Sequence, residues 1–90
     1  MATTVRIPSA LRASTGGQAR VAVEGTTVAE ALANLEAAYP GLKGRLHDEH
    51  GAIARFINVF VGGEDVRLLD GLNTTLDGAE LSIVPAVAGG

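Results

Sequence analysis

A single amphipathic helix with strand-like segments on both sides is the feature that most constrains how this chain folds. The segment 27–38, TVAEALANLEAA, starts at Thr27 and carries Glu30 three residues later. This spacing is the capping-box pattern, in which the hydroxyl and the carboxylate bind free N–H groups at the start of a helix. The apolar residues of the segment recur at spacings of three and four: Val28, Ala31, Leu32 and Leu35. We therefore predict a helix from about Thr27 to Ala38, which Pro40 ends.

Strand patterns precede this helix. Residues 3–8 and 19–24 alternate apolar and polar side chains, as half-buried strands do. The turn-forming segment 13–18, ASTGGQ, lies between them. The two strands are expected to pair as a hairpin, although the residues between them also allow a longer connection.

Strand patterns also follow the helix. Residues 56–61, FINVFV, form the strongest of them. Gly62 and Gly63 predict a two-residue turn, because both central positions of such a turn favour positive φ. The segment 64–69, EDVRLL, then reads as a short return strand. The last strand pattern is LSIVPA, with Pro85 at or just past its end.

The order strand, strand, helix, strand, short strand, strand predicts an α+β fold. A mixed sheet of four to five strands packed on one main helix has the β-grasp arrangement of ubiquitin-like proteins, although order alone also fits other small α+β folds. We expect a ubiquitin-like β-grasp domain over residues 1–85 and a flexible C-terminal Gly-Gly tail over residues 86–90.

Charge and residue usage exclude several classes of function. The chain carries a formal charge of -3, its Lys and Arg residues are spread along the sequence, and it has one Tyr and two Phe. A nucleic-acid-binding protein concentrates positive charge and stacking aromatics, so no nucleic-acid partner is expected. No apolar run approaches the length of a membrane span and no leader pattern is visible, which predicts a cytoplasmic protein without a membrane partner. The lack of Cys rules out disulfides and thiolate chemistry.

The segment HDEH, His47 to His50, has residue types that bind metals. Its two His residues are three positions apart, however, whereas a helical zinc pair has a spacing of four. We interpret the segment as a solvated acidic loop and predict no metal site. Glu64 and Asp65 are adjacent on a predicted strand and would point to opposite faces, which argues against an acid/base pair. A core this small also leaves no room for a deep cleft, so the chain is not expected to be an enzyme.

The segment 84–90, VPAVAGG, ends in two residues without side chains. Gly89 and Gly90 place no Cβ near the terminal carboxylate and let the backbone closely approach the active site of another enzyme. Pro85 has a fixed φ and no N–H, so it is expected to form a stiff hinge between the sheet and this lead. Small residues are also common at chain ends, so the glycine pair alone leaves both interpretations open.

These segments together resemble the ThiS/MoaD family of ubiquitin-like sulfur carriers, and within it most the cysteine-biosynthesis (CysO) branch. The most specific elements are the hairpin VGGEDVR, the turn DGL and the end IVPAVAGG, in that order. The opening VRIPSALRASTGGQARV and the helix TVAEALANLEAAYPGLKGRL are similar too, so the resemblance covers nearly the whole chain. Molybdopterin-type carriers usually have two prolines before the final Val-x-Gly-Gly, whereas this chain has Pro85 followed by Ala86.

The resemblance implies a mechanism in which the chain is a protein cosubstrate. An ATP-dependent, E1-like enzyme would adenylate the carboxylate of Gly90, and a sulfur source would displace AMP to leave a thiocarboxylate. That group would donate sulfur to an acceptor on a partner enzyme, either a PLP-dependent cysteine synthase or a synthase of thiosugars or other secondary metabolites. The chain itself would bind no cofactor, since the partner uses the ATP, and would be a monomer when free.

The resemblance also implies an apolar docking surface on the sheet beside the tail. Gly89 and Gly90 form the reacting end. The predicted partner-binding residues are Phe60, Leu69, Pro85, Ala86, Val87 and Ala88. Core packing is an equal alternative for Phe60 and Leu69. The rim is expected to include Arg6, Arg55 and Arg67.

Other functions fit the same tail. A ubiquitin-like modifier would be conjugated to target lysines through Gly90, and the small subunit of a molybdopterin synthase would use the same thiocarboxylate. A plain β-grasp interaction module would bind through a residue of the sheet face such as Phe60 and would tolerate loss of the tail.

Overall fold

The computed structural model describes residues 2–86. Their main elements are a five-stranded mixed sheet and one α-helix. The strands are β1 (Ala2–Arg6), β2 (Arg20–Glu24), β3 (Ile57–Val61), β4 (Glu64–Asp65) and β5 (Leu81–Pro85), and the helix α1 is Val28–Ala38. Four 3-10 helices lie in the connections: Ser9–Thr15, Pro40–Leu42, Val66–Leu68 and Gly71–Asn73. The predicted α+β class, with a mixed sheet and one main helix, is confirmed.

The last strand lies in the middle of the sheet. The strand order is β2-β1-β5-β3-β4, in which β1 and β5 are parallel and the other neighbours are antiparallel. Ser82 of β5 is the partner of Arg6 on one side and of Phe60 on the other. The chain segment that leads to the C-terminal residues is therefore paired with strands from both ends of the sequence.

The core lies between α1 and one face of the sheet. Strands β1, β2 and β3 bury alternate residues, as strands with one face on the core do. The helix buries the residues predicted from their spacing: Val28, Ala31, Leu32 and Leu35. The sheet contributes the other main part of the core: Val5, Val21, Val23, Ile57, Val59, Val61, Leu81 and Ile83.

The helix start follows the capping pattern with one difference. The backbone N–H of Glu30 donates to Oγ1 of Thr27 at 3.2 Å, as the capping box requires. The carboxylate of Glu30 accepts from the N–H and the hydroxyl of Thr26, both at 2.8 Å, and so reaches one residue further back than predicted. The predicted helix is confirmed, with Thr27 as its cap and Ala38 as its last residue.

The return strand after the glycine turn is shorter than predicted. Gly62 and Gly63 have φ values of 58° and 89°, which confirms the two-residue turn. The strand β4 that follows ends at Asp65, and not at residue 69. The Oδ1 atom of Asp65 accepts the N–H of Arg67 at 2.9 Å, and this cap turns the chain into a 3-10 helix that buries Val66.

The connection between β1 and β2 is the longer of the two alternatives. It contains the 3-10 helix Ser9–Thr15, which buries Leu11 and ends at Gly16 in a left-handed conformation with φ 65°. Within residues 2–86 no helix has the length and apolar character to cross a bilayer.

Candidate functional site

The feature that the sheet offers to a partner is a groove at the end of β5. One wall comes from the end of β1 and the 3-10 helix after it, and the other comes from β3 and β5. The residues used below line this β5 groove: Arg6, Pro8, Arg12, Phe60, Val84 and Pro85.

Phe60 faces the groove because of strand alternation. Its neighbours Val59 and Val61 are buried in the core, so the side chain of Phe60 lies on the opposite face of the sheet. There it is half-buried, across β5 from Arg6 and in the register of Ser82. Core packing, one of the two alternatives for Phe60, is therefore wrong, and its role in docking stays a prediction.

Pro85 ends β5 without leaving its partner strand unpaired. The N–H of Ala86 donates to the carbonyl of Phe56 at 2.7 Å. In an antiparallel ladder the next pair, Ile57 and Pro85, then occupies a position at which the strands exchange no hydrogen bond. The missing N–H of Pro85 is tolerated for this reason, and the backbone continues in register to Ala86.

The other predicted contact residues are not all in the groove. Leu69 follows the 3-10 helix Val66–Leu68, is exposed, and is not among the residues that line the groove. The remaining predicted contact and reacting residues lie outside the described residues: Val87, Ala88, Gly89 and Gly90. The structure thus brings Phe60 and Pro85 together, with Ala86 next to them, and leaves Leu69 apart.

Only one of the three predicted rim arginines lies on the groove. Arg6 lines it, whereas Arg55 and Arg67 line a separate hollow that also contains Ile53 and Leu72. The guanidinium of Arg67 donates to the carbonyl of Ile57 and to the side chain of Asn58. It therefore covers part of the outer edge of β3 and is not free at a rim.

Sequence reasoning missed Arg12 and Val84. Val84 lies on the exposed face of β5, with 40% of its surface accessible. Arg12 reaches the groove because the 3-10 helix folds it back, and its Nε donates to the carbonyl of Ile7 at 3.0 Å. Pro8 lies just before this helix, as its N-cap, and the sequence has no hydropathy period that would predict the helix.

The HDEH segment stabilises its own loop. Nδ1 of His47 lies 3.0 Å from Oε2 of Glu36, which ties the loop to α1. Oδ1 of Asp48 accepts the N–H groups of His50 and Ala52 at 2.8 and 3.0 Å, and these bonds hold the pKa of Asp48 below its usual value. Over residues 2–86 no three His, Asp or Glu side chains are grouped to hold a metal ion.

The chemistry of the groove is that of binding. Its described lining combines apolar side chains with arginines and serines, and it includes neither a carboxylate nor an imidazole. Arginine does not lose its proton at ordinary pH, and a serine needs a neighbouring base to act as a nucleophile. The arrangement therefore suits recognition of another molecule next to the end of β5.

Comparison with known proteins gives matches that agree with one another. The ThiS family model matches residues 5–90. The sulfur carrier protein CysO of Mycobacterium tuberculosis is 46% identical, with 100% of both chains covered. Small archaeal modifier protein 3 of Haloferax volcanii is 46% identical over 71% of this chain and 70% of its own. Among solved structures, a chain of the Amycolatopsis orientalis BexX/CysO complex superposes with a TM-score of 0.88 and 47% identity, covering 98% of this chain and 99% of that chain.

Proposed function

Because the chain belongs to the ThiS family, as its resemblance predicts, we propose that it is a sulfur carrier protein whose Gly90 carboxylate is converted to a thiocarboxylate. The observation that carries this proposal is the full-length similarity to CysO at 46% identity. The family match also runs through residue 90, so it includes the glycine pair. In this role the chain is a cosubstrate, and the catalysis belongs to its partners.

The first step is activation of a poor electrophile. An E1-like enzyme directs the carboxylate oxygen of Gly90 at the α-phosphorus of ATP, so that pyrophosphate leaves and an acyl-adenylate forms. A sulfide equivalent then adds to the acyl carbon, and AMP departs with the carbon–oxygen bond electrons. The result is a thiocarboxylate in which one carboxylate oxygen has been replaced by sulfur.

The residues of this chain position its reacting end. Gly89 and Gly90 leave space around the acyl carbon, because a Cβ at either position would crowd a nucleotide bound there. The described residues that support this role are Pro85 and Ala86, which carry the strand out to the edge of the β5 groove. Phe60 in that groove gives a partner an apolar contact near the base of the reacting segment.

The second step is delivery to an acceptor on another enzyme. The CysO of Amycolatopsis orientalis has been crystallised in complex with BexX, and that chain is 47% identical to this one. This supports a second protein partner, for which we favour a PLP-dependent cysteine synthase or a synthase of thiosugars or other secondary metabolites. The thiocarboxylate sulfur would attack an electrophilic carbon that the partner holds.

A second candidate function is protein modification. It is favoured by the similarity to small archaeal modifier protein 3, at 46% identity over 71% of this chain. The same acyl-adenylate would then be captured by the amine of a lysine, and an amide to Gly90 would replace the thiocarboxylate. The two functions share their activation step and differ only in the nucleophile.

The proposal is tested by intact mass spectrometry of the protein after incubation with ATP, sulfide and an E1-like enzyme of established activity on its own carrier. We expect a mass gain equal to replacing one oxygen by sulfur, localised to the C-terminal peptide. A variant that lacks Gly90 should keep its circular dichroism spectrum and show no gain. An unchanged mass in the intact chain would contradict sulfur carriage, and a ladder of lysine-linked products in cells would favour modification.

A further inference from the structure

The sequence contains a single side-chain amine. Lys43 is its only lysine, and its other basic residues are all arginines. The guanidinium group of arginine keeps its proton and offers no lone pair, whereas a lysine amine that has lost its proton attacks acyl carbons. The sequence also has no cysteine thiol. Lys43 is therefore the one side chain that can form a stable amide with an activated carboxylate.

The amine of Lys43 is accessible. Lys43 is exposed and forms no ion pair with any residue between positions 2 and 86. Two carboxylates of the neighbouring segments interact with histidines instead. Oε2 of Glu36 lies 3.0 Å from Nδ1 of His47, and Oε1 of Glu49 lies 3.6 Å from Nε2 of His50. The described residues therefore leave this amine open to another molecule.

The backbone that carries Lys43 is fixed on one side and open on the other. The N–H of Lys43 donates to the carbonyl of Pro40 at 3.1 Å, and the preceding residue, Leu42, is fully buried. The next residue, Gly44, has φ 81°, and no atom lies within 4 Å of the position that a Cβ would take there. An acyl group can thus approach Lys43 without any opening of the core.

Lys43 lies outside the surface that presents the reacting end. It belongs to the connection between α1 and β3. It is not among the residues that line the β5 groove or the hollow that contains Arg55 and Arg67. A chain that is modified at Lys43 therefore keeps both its groove and its own Gly90 carboxylate. Such a chain can be activated again by the same enzyme.

We propose that Lys43 is an acceptor site for the Gly90 acyl group of a second copy of this chain, so that activated copies join through a single type of amide bond. The inference rests on the proposed function, which supplies the acyl-adenylate. The lone pair of Nζ attacks the acyl carbon of Gly90, and AMP leaves with the electrons of the carbon–oxygen bond. The amine then releases a proton to solvent, and the products are an amide-linked dimer and AMP.

The test incubates the protein with ATP and an E1-like enzyme of established activity on its own carrier, with sulfide left out so that no sulfur nucleophile competes. We expect a product with twice the mass of the chain less one water. Trypsin does not cut after an acylated lysine. Digestion should therefore give a branched peptide in which residues 21–45 carry residues 68–90 on Lys43.

Two variants separate the amine from the charge. Lys43→Arg keeps the charge and should lower the yield of dimer by about tenfold or more, because arginine offers no lone pair. Arg45→Gln is the matched control, since it removes an exposed charge two residues away and should leave the yield within about twofold. A dimer that persists in Lys43→Arg would overturn the proposal. Thermal melts check that both variants are folded.

The remaining outcomes separate this proposal from the proposed function. Thiocarboxylate in the presence of sulfide, but no dimer in its absence, overturns the acceptor site and leaves sulfur carriage intact. A Lys43-linked dimer without thiocarboxylate formation supports the acceptor site and counts against sulfur carriage, and neither product contradicts both.

A mixture of two variants tests whether a second copy is the donor. A chain without Gly90 can only accept and Lys43→Arg can only donate, so the two together should form the dimer that neither forms alone. A monomer that has lost one water would instead indicate an amide within one chain and overturn the proposal. A branched peptide at the chain's α-amine or on the enzyme, with none at Lys43, would overturn it as well.

Discussion

The N–H of Ala86 donates to the carbonyl of Phe56 across 2.7 Å, one residue beyond the end of β5. The pairing between β3 and β5 therefore extends beyond Pro85, which lies at a position where the ladder needs no donor. The sequence suggested a hinge at this proline. The hydrogen bond of Ala86 instead fixes the direction of the backbone as far as residue 86.

Replacing Ala86 by Pro removes this donor. We expect a loss of about 1 kcal/mol in the free energy of unfolding, because the carbonyl of Phe56 loses its intramolecular partner. Urea denaturation measures this loss. Ala86→Ser keeps the N–H and serves as the control, and equal stability of the Pro and Ser variants would show that the bond contributes nothing.

Glu30 makes stability depend on pH. The N–H and then the hydroxyl of Thr26 donate to its carboxylate and lower the pKa of Glu30 in the folded state. A carboxyl group whose folded pKa is lowered stabilises the fold above its unfolded pKa and loses that effect as pH falls through the folded pKa. Glu30→Gln should therefore be less stable than the wild type at pH 7, with a difference that shrinks in acid.

Urea midpoints measured from neutral pH down into the acid range would show this convergence. Glu64→Gln is the matched control, because Glu64 is exposed at the start of β4. A difference between wild type and Glu30→Gln that stays constant over the whole range would mean that the cap does not depend on charge.

The hydroxyl of Thr3 lowers the stability of the core. Thr3 is 2% exposed, and its Oγ1 has no hydrogen-bond partner among residues 2–86. Thr3→Val replaces the hydroxyl with a methyl group of similar size, and we expect about 1 kcal/mol of added stability because a buried unpaired polar atom is removed. Thr3→Ser keeps the hydroxyl, deletes the methyl and should destabilise. A less stable Val variant would reveal a partner for the hydroxyl in solution.

The turn between β3 and β4 depends on backbone conformation and not on space. Gly62 has φ 58°, and the nearest atom to an added Cβ is 3.9 Å away, at Ala79. Gly62→Val should cost about 1–2 kcal/mol, because the left-handed region is unfavourable for residues with a Cβ. Gly62→Asn should cost clearly less, since Asn-Gly is a preferred pair for this turn. Thermal unfolding of both variants measures these losses of stability. Equal losses in the Val and Asn variants would indicate a steric cause.

Local signals predicted most of the fold. Helix α1 is predicted by the capping pair Thr27 and Glu30 together with the apolar spacing that follows it. The hairpin is predicted by the pair Gly62-Gly63. The 3-10 helix that carries Leu11 was missed, because short helices of this type have no hydropathy period and depend on tertiary packing. The return strand predicted over residues 64–69 is longer than the observed β4, because the pattern of EDVRLL does not show that the side chain of Asp65 caps a turn.

The candidate site was predicted only in part. Alternation in β3 puts Phe60 and Val59 on opposite faces, but the sequence does not say which face is the core, because both carry apolar residues. The groove joins residues that are far apart in sequence, through the parallel pair of β1 and β5. Arg12 could not be assigned to it without that pairing, and the arginines expected at the rim, Arg55 and Arg67, lie elsewhere.

The central place of β5 also has a consequence for the order of biosynthesis. Without β5 the sheet separates into the β1–β2 pair and the β3–β4 pair, which share no strand contact. Residues 81–85 leave the ribosome after all the others that form the sheet, so a nascent or prematurely terminated chain cannot assemble it. The segment that continues into Gly89 and Gly90 thus also contains the strand that joins the two halves of the sheet.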